Sequence, residues 1–456
     1  MKTITNIVKV LSSSIITFSS NFIIGFILPI YLTVAEYGYY REFVLYFNFF
    51  YILNLGFNEG LYIKYGGKSI TEIDKRELQK EHNTSLLFQL VITVLIFGIG
   101  LFQQSLLICI FAIASFFANA TYFHQLVQQA LSEFSEYSRT NTIKGISTIV
   151  TMLIALLLFN GDTNLYYVVA LMFAQIITFV YCEIQFHKVI KTNLAVIATK
   201  EHTKQIFRIG IFVLLANFFR VLVGSIGQWL VQIFSNIEDF AQYSLAGSML
   251  SVVLLVINAV AAVFYTVISK NKDRYKLVLI KNLLLIFGIL SGLAYFVLWY
   301  IIGIFIPAYD SSLEYMKYLI LCVPYLMVIN VIATNLYKTN MNEKKYFWSM
   351  AGILMLTTVT IASMYLFYNN PVVAAIGTAL VYIIWYYIVT VKTFPFLKNT
   401  TKYNILLVSH LVVYLFCTSL ANNLVGLLAY AGYCCLILVV YRKDFYLVFS
   451  YLKTSE

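Results

Sequence analysis

Apolar runs of membrane-spanning length dominate the chain. A helix needs about 20 apolar residues to cross the hydrocarbon core of a bilayer. Measured against that length, about fourteen segments qualify, at 8–32, 42–63, 84–102, 105–128, 144–159, 165–187, 206–234, 238–268, 278–305, 314–337, 346–368, 371–393, 403–420 and 423–441. Short polar turns separate them. The two longest polar stretches, about 64–83 and 188–205, leave no room for a soluble domain. The first contains KSITEIDKRELQKEHN, which reads as a short amphipathic helix at a membrane surface.

Polar positions inside the runs are few and patterned. In the seventh run, Asn217, Arg220, Gly224 and Gln228 fall on one helical face. An arginine at the bilayer centre costs about 2.5–3.5 kcal/mol on insertion scales, so it is expected to face a cavity or a partner. Asn217, Arg220 and Gln228 are therefore candidate substrate contacts, with Arg220 suited to a diphosphate or an acidic sugar. A structural ion pair or a carbonyl-capping arginine is the competing reading. The first run carries Ser13, Thr17, Ser20 and Asn21 on one face, and the eighth carries Ser244, Ser248, Ser251 and Asn258. Such stripes suit hydrogen bonding to sugars, which makes Ser13, Thr17 and Asn21 further candidates, and they equally suit close helix packing.

Glu59 lies near the end of the second run. It is a candidate ion-coupling carboxylate, an ion-pair partner for Arg220 or Lys64, or an interface carboxylate reaching water. Glu183 reads as an interface carboxylate. His124, with Gln125, Gln128 and Gln129, ends the fourth run and reads as a helix cap in preference to a proton relay. His410 stands alone in the thirteenth run and reads as structural. Pro324 removes a hydrogen bond inside the tenth run and predicts a kink.

Composition narrows the class. Of 456 residues, 61% are apolar and only 11% are Asp, Glu, Lys or Arg, with a mean hydropathy of +0.83. The charged share is less than half that of a soluble domain. That excludes an ordinary soluble enzyme, a disordered chain and a disulfide scaffold. The expected fold is an all-α polytopic membrane protein. The six cysteines, Cys109, Cys182, Cys322, Cys417, Cys434 and Cys435, all lie in apolar runs without metal-ligand spacing. They read as small buried hydrophobes, and the adjacent pair points to different helix faces. No metal and no cofactor is expected.

The net charge of +11 has a topological meaning. With the N-terminus placed inside, 28 of the 31 basic residues fall in cytoplasmic segments. Arg41, Lys317 and Arg220 are the exceptions. The outer turns hold Glu36, Glu42, Asp162, Glu238, Asp239, Asp310 and Glu314. This alternation predicts an even number of spans with both termini cytoplasmic, and no nucleic-acid role. The first run is too long for a typical signal-peptide core and is expected to remain as a spanning helix.

An internal repeat is visible. AEYGYYREFVLYFNFF follows the first run and EDFAQYSLAGSMLSVV follows the seventh. Glu36 and Asp239 are 203 residues apart, or six helices. An even number of helices gives a parallel repeat about an axis along the membrane normal. The expected organisation is two six-helix lobes, 1–195 and 196–396, followed by helices 13 and 14 with a tail in 397–456.

The segments PIYLTVAEYGYY and LNLGFNEGLYIKYGG, with DFAQYSLAGSM in the second half, resemble polysaccharide flippases of the Wzx type. Their superfamily also holds the multidrug and toxin extrusion (MATE) transporters and the lipid II flippases. The resemblance implies two lobes shaped as a V around a central cavity. It implies alternating-access flipping of an undecaprenyl-diphosphate-linked oligosaccharide repeat unit for O-antigen, capsule or similar polysaccharide. The implied location is the bacterial inner membrane. Implied partners are the lipid-linked oligosaccharide, membrane lipid and the polymerase and chain-length machinery. A lipid II-type flippase and a MATE-like cation-coupled exporter are the alternatives. The chain carries no Walker A, HExxH, GxSxG or CxxC motif, which argues for a secondary transporter and against an enzyme.

Overall fold

The computed structural model describes Ile16, Ser20 and residues 25–159, 163–190, 196–270, 274–340 and 343–444. Among these residues the ordered elements are helical and no strand occurs. The first half contains α1 (Val34–Phe47), α2 (Phe57–Tyr65), α3 (Lys75–Phe102), α4 (Leu106–Ala130), α5 (Phe134–Phe159) and α6 (Asn164–Ile190). Then come α7 (Lys200–Phe234), α8 (Ile237–Lys270), α9 (Arg274–Leu290), α10 (Leu293–Phe305), α11 (Ser312–Leu321), α12 (Val323–Val328) and α13 (Thr334–Asn340). The chain closes with α14 (Glu343–Tyr368), α15 (Pro371–Tyr387), α16 (Thr401–Thr418) and α17 (Asn423–Val440).

Among the described residues, ten helical segments, with α9 and α10 counted as one, are long and apolar enough to span a membrane. The bent stretch from α11 through α13 makes eleven. The all-α multi-span class follows directly. Fourteen is not reached among the described residues, because one expected span is broken and two are described only in part. Segment 8–32 lies mostly outside the described residues, 42–63 is broken, and 238–268 is helical in α8 but described only in part at the side-chain level.

The chain divides into two compact units, Met1–Leu222 and Val223–Glu456, and the division falls inside α7. The helix starts repeat along the sequence. α1 begins at Val34 and α8 at Ile237, the same 203-residue offset that separates Glu36 from Asp239. Glu36 ties α1 to the start of α6, where its carboxylate accepts the backbone N–H of Asn164 at 2.6 Å. Negative charge there meets the unsatisfied amides and positive dipole of a helix N-terminus.

The broken second span has a legible cause. After α1 the chain tightens into a 3-10 turn over Phe50–Asn54 and then enters the left-handed region at Leu55 (φ 50°) and Gly56 (φ 90°). The Asn54 side chain accepts the Gly56 amide at 2.7 Å and donates to the Tyr51 carbonyl at 2.6 Å. Two other carbonyls freed by the break are also served. Asn119 of α4 donates to Phe50 at 2.9 Å, and Gln89 of α3 donates to Leu53 at 3.3 Å. Irregular backbone at membrane depth survives only where protein groups satisfy it, and here side-chain amides do so.

Past the break, Gly56 and Gly60 bring α2 against Ile206 and Gly210 of α7. A methyl group at Gly210 would collide with the backbone of Gly56 and Gly60, and one at Gly60 with the carbonyl of Ile206. Small residues four apart are the usual means by which membrane helices pack backbone to backbone. In the second unit, the kink expected at Pro324 is present as a 49° bend between α11 and the helix that follows. Pro324 is buried, and Gly288 of α9 touches its backbone so closely that no Cβ would fit. The bend is therefore packed in place.

Gly210→Leu is expected to destabilise the protein by more than the roughly 1–3 kcal/mol usual for overpacking, because the obstructing atoms are backbone. Gly352→Ala, which meets no atom within 4 Å, serves as the silent comparison. Thermal unfolding in detergent of the two variants checks this.

Candidate functional site

Arg220 sits midway along α7 and is exposed. Among the described residues, no carboxylate lies within ion-pair distance of it. The structural ion-pair reading is thereby removed for these residues. Along the same face Asn217 is half-buried, Gly224 is exposed and Gln228 is half-buried, with its Nε2 lying against Gly247 of α8. Arg220 and Gly224 thus form the open part of the stripe, and Gln228 belongs partly to helix packing. Ser13, Thr17 and Asn21 lie outside the described residues, as does the side chain of Asn258.

Two hydroxyls of α8 spend their donors locally. Ser248 bonds the Ser244 carbonyl at 2.9 Å and Ser251 the Gly247 carbonyl at 2.9 Å. Bonding one turn back within the same helix is the local use of serine in helices, so Ser248 and Ser251 bring no free donor to a ligand.

Glu59 occupies the first turn of α2, directly after the break, and is only 2% exposed. Its Oε1 accepts the Tyr122 hydroxyl at 3.1 Å, and its Oε2 is buried with no partner. The expected pairing with Arg220 or Lys64 is absent, because Lys64 is engaged elsewhere. The Lys64 ammonium lies 2.5 Å from Glu81 and 3.0 Å from Glu77. Glu81 is fully buried and also accepts the Tyr65 hydroxyl at 2.6 Å, with the His202 ring nitrogen at 2.7 Å. This cluster joins α2, α3 and α7 at the end where the lysine-rich turns lie.

A second cluster corrects the readings of Glu183 and His124. Glu183 of α6 does not simply reach water, and the His124 ring of α4 bonds Glu183 and not a helix end. The Nε2 atoms of His82 and His124 lie 2.8 and 2.9 Å from Glu183 Oε1, and the His187 Nε2 lies 3.5 Å from Oε2. Sequence reasoning missed this because it is a tertiary arrangement of α3, α4 and α6. Only the Glu183/His187 spacing of four is local. Lys281, assigned by charge pattern to a cytoplasmic turn, is instead buried in α9. Its ammonium donates to the Leu397 carbonyl at 2.9 Å and to Asn399 at 2.7 Å. His410 is bonded to Tyr430 and near the Leu321 carbonyl, so it is structural but not isolated. All six cysteines are free, and Cys434 is buried where Cys435 is exposed.

No family model matches the chain, and no curated protein matches it in sequence. Solved structures do match. A structure of the lipid II flippase MurJ in an inward closed conformation superposes with a TM-score of 0.70 at 16% identity, covering 96% of this chain and 99% of that one. The fold is that of the lipid II flippase and the MATE transporters. An inward-facing MATE-family multidrug resistance transporter of the MOP superfamily matches with a TM-score of 0.54 at 11% identity, over 85% of this chain and 96% of that one. A crystal structure of a MATE point mutant matches with a TM-score of 0.52 at 14% identity, over 86% of this chain and 97% of that one. At these identities the likeness establishes the fold alone, and the chemistry has to come from the residues above.

Glu81→Gln is expected to lower stability by roughly 1.5–3 kcal/mol, the scale of a hydrogen bond to a charged group, since it removes the negative charge from the closest acceptor of Lys64. Thermal unfolding of the detergent-solubilised variant reads this, and Lys200→Gln, an exposed site, is expected to unfold like the parent.

Proposed function

We propose that this protein is a flippase that moves a polyprenyl-diphosphate-linked oligosaccharide across the bacterial inner membrane by alternating access. The observation that carries this reading is the extent of the structural likeness. The match to the lipid II flippase runs over nearly the whole of both chains. The matches to the MATE transporters leave a larger share of this chain uncovered. The sequence segments that resemble Wzx-type flippases narrow the cargo to a surface-polysaccharide repeat unit. The 203-residue offset of the helix starts supports two repeated lobes, 1–195 and 196–396, with α16 and α17 added after them. The basic turns support cytoplasmic termini.

Each part of the cargo makes a demand. The diphosphate needs a cation that internal carboxylates have not already neutralised, and exposed Arg220 fits that need. A guanidinium can grip phosphate oxygens in bidentate fashion. The sugars need amide and hydroxyl groups, and Asn217 with the first-span residues Ser13, Thr17 and Asn21 are assigned there. Glu59 is assigned to ion or proton coupling. A buried carboxylate with one unpartnered oxygen is costly when charged, so cation or proton occupancy would alter its environment strongly. Polymerase and chain-length proteins would draw on the flipped product.

The favoured alternative is lipid II itself as cargo, because the structure with a TM-score of 0.70 is a lipid II flippase. Both cargoes share the lipid diphosphate, and lipid extracts separate them. Cells lacking the protein are expected to accumulate a lipid-linked oligosaccharide and lose surface polysaccharide. Accumulation of lipid II instead would select the alternative, and an unchanged lipid-linked pool would contradict flipping altogether.

Arg220→Ala is expected to reduce surface polysaccharide at least tenfold at unchanged protein level, roughly the effect of losing one charge-assisted contact of about 1.5–3 kcal/mol, with Arg220→Lys retaining part of it. Full activity of the alanine variant would remove Arg220 from the mechanism.

A further inference from the structure

The chain has five histidines, and three of them gather around one carboxylate. His82 comes from α3, His124 from α4, and Glu183 and His187 from successive turns of α6. The ligand atoms of His82, His124 and Glu183 all lie within 4.8 Å of one another. Both Nε2 atoms point at the same carboxylate oxygen, at 2.8 and 2.9 Å. His82 Nδ1 is buried without a partner, so this ring directs its one polar contact at Glu183. The side chains of His82 and His124 are 3% and 4% exposed, while Glu183 is 17% and His187 52% exposed. The cluster is closed on the inside and open toward His187.

Its walls are aromatic. The Phe186 ring stacks on His82 at 4.4 Å between centroids, and Phe123 meets His82 at 5.2 Å and His124 at 5.4 Å. These rings restrict the imidazoles and exclude water. Two imidazole nitrogens and a carboxylate oxygen, with a fourth donor at the open edge, are the ligand types and number that zinc-like cations take. A nonpolar shell around such a set controls solvent access and the local dielectric.

We propose that His82, His124 and Glu183 form a binding site for a divalent transition metal of zinc type, with His187 completing the coordination from the exposed edge. The ion would replace the two imidazole–carboxylate hydrogen bonds. Each neutral ring would bind through Nε2 and carry its proton on Nδ1. The site would staple α3, α4 and α6 together, independently of which lipid the protein carries. The other group with metal-like spacing, Glu77, Glu81 and His202, is already filled by the Lys64 ammonium at 2.5 Å from Glu81. A cation entering there would have to displace it.

The test uses the full-length protein in detergent, stripped with chelator and then titrated with Zn²⁺ alone and with Co²⁺ alone. One metal per chain is expected by elemental analysis, with the visible absorption of four-coordinate cobalt. Zn²⁺ is expected to raise the unfolding temperature, since a ligand that binds the folded state stabilises it. Glu183→Gln and His124→Gln should abolish binding. His187→Ala, at a half-exposed position, should weaken it about tenfold or more. His202→Gln should bind as the parent does. The proposal is overturned if the parent takes up no more metal than the Glu183→Gln variant. It is equally overturned if His187→Ala leaves affinity unchanged, or if binding is lost in His202→Gln.

Discussion

Hydrocarbon offers a peptide group no hydrogen-bond partner, and much of the first half of this molecule is organised around a break in its helical ladder between α1 and α2. Between α1 and α2 the chain leaves the helix for a 3-10 turn and two left-handed residues. The carbonyls of Phe50, Tyr51 and Leu53 would be stranded there. Asn119, Asn54 and Gln89 meet them. Because the backbone is satisfied, α2 can start afresh in a new direction at Gly56. That restart puts Glu59 on its first turn, and it lets Gly56 and Gly60 meet Gly210 backbone to backbone.

The buried charges then separate into two kinds. Glu81 is saturated by Lys64, Tyr65 and His202, and Glu183 by His82 and His124. Lys281 is held by a carbonyl and an amide. These groups have internal partners, as buried charge requires. Glu59 and Arg220 are different. One Glu59 oxygen has no partner, and Arg220 is exposed with no carboxylate nearby among the described residues. Polar groups that folding leaves unmatched in a membrane protein are the places where cargo or ions are expected to do the matching. This contrast, and not the mere presence of charge, is what sets Glu59 and Arg220, the residues proposed for transport, apart from the buried pairs.

Much of the architecture was readable from the sequence because lipid imposes a length on every helix. The spans of α3 through α6 and α14 through α17 fall close to the apolar runs that predict them. Pro324 kinks its helix because the missing N–H and the ring act locally. Arg220 was legible as an isolated cation in an apolar run, and the two faces of Cys434 and Cys435 follow from helical geometry. The second span reads as continuous because hydropathy does not register the left-handed turn at Leu55–Gly56, although Asn54 and Gly56 are turn-forming residues. The histidine cluster was not legible. Its members are 42 and 59 residues apart along the chain, and only the packing of α3, α4 and α6 brings them together. The α8 serines left two readings open in sequence, and the bonds of Ser248 and Ser251 within one helix do not favour the sugar-binding one.

The central claim is that the cargo is a lipid bearing an oligosaccharide on a diphosphate. The most direct test is reconstitution of the purified protein in liposomes whose outer leaflet carries a fluorescent polyprenyl-diphosphate oligosaccharide, followed by its protection from a membrane-impermeant quencher. The account predicts time-dependent protection that needs the protein, and no protection of a matched lipid whose diphosphate is replaced by a neutral linker. Equal transfer of both lipids, or transfer of neither, would contradict it.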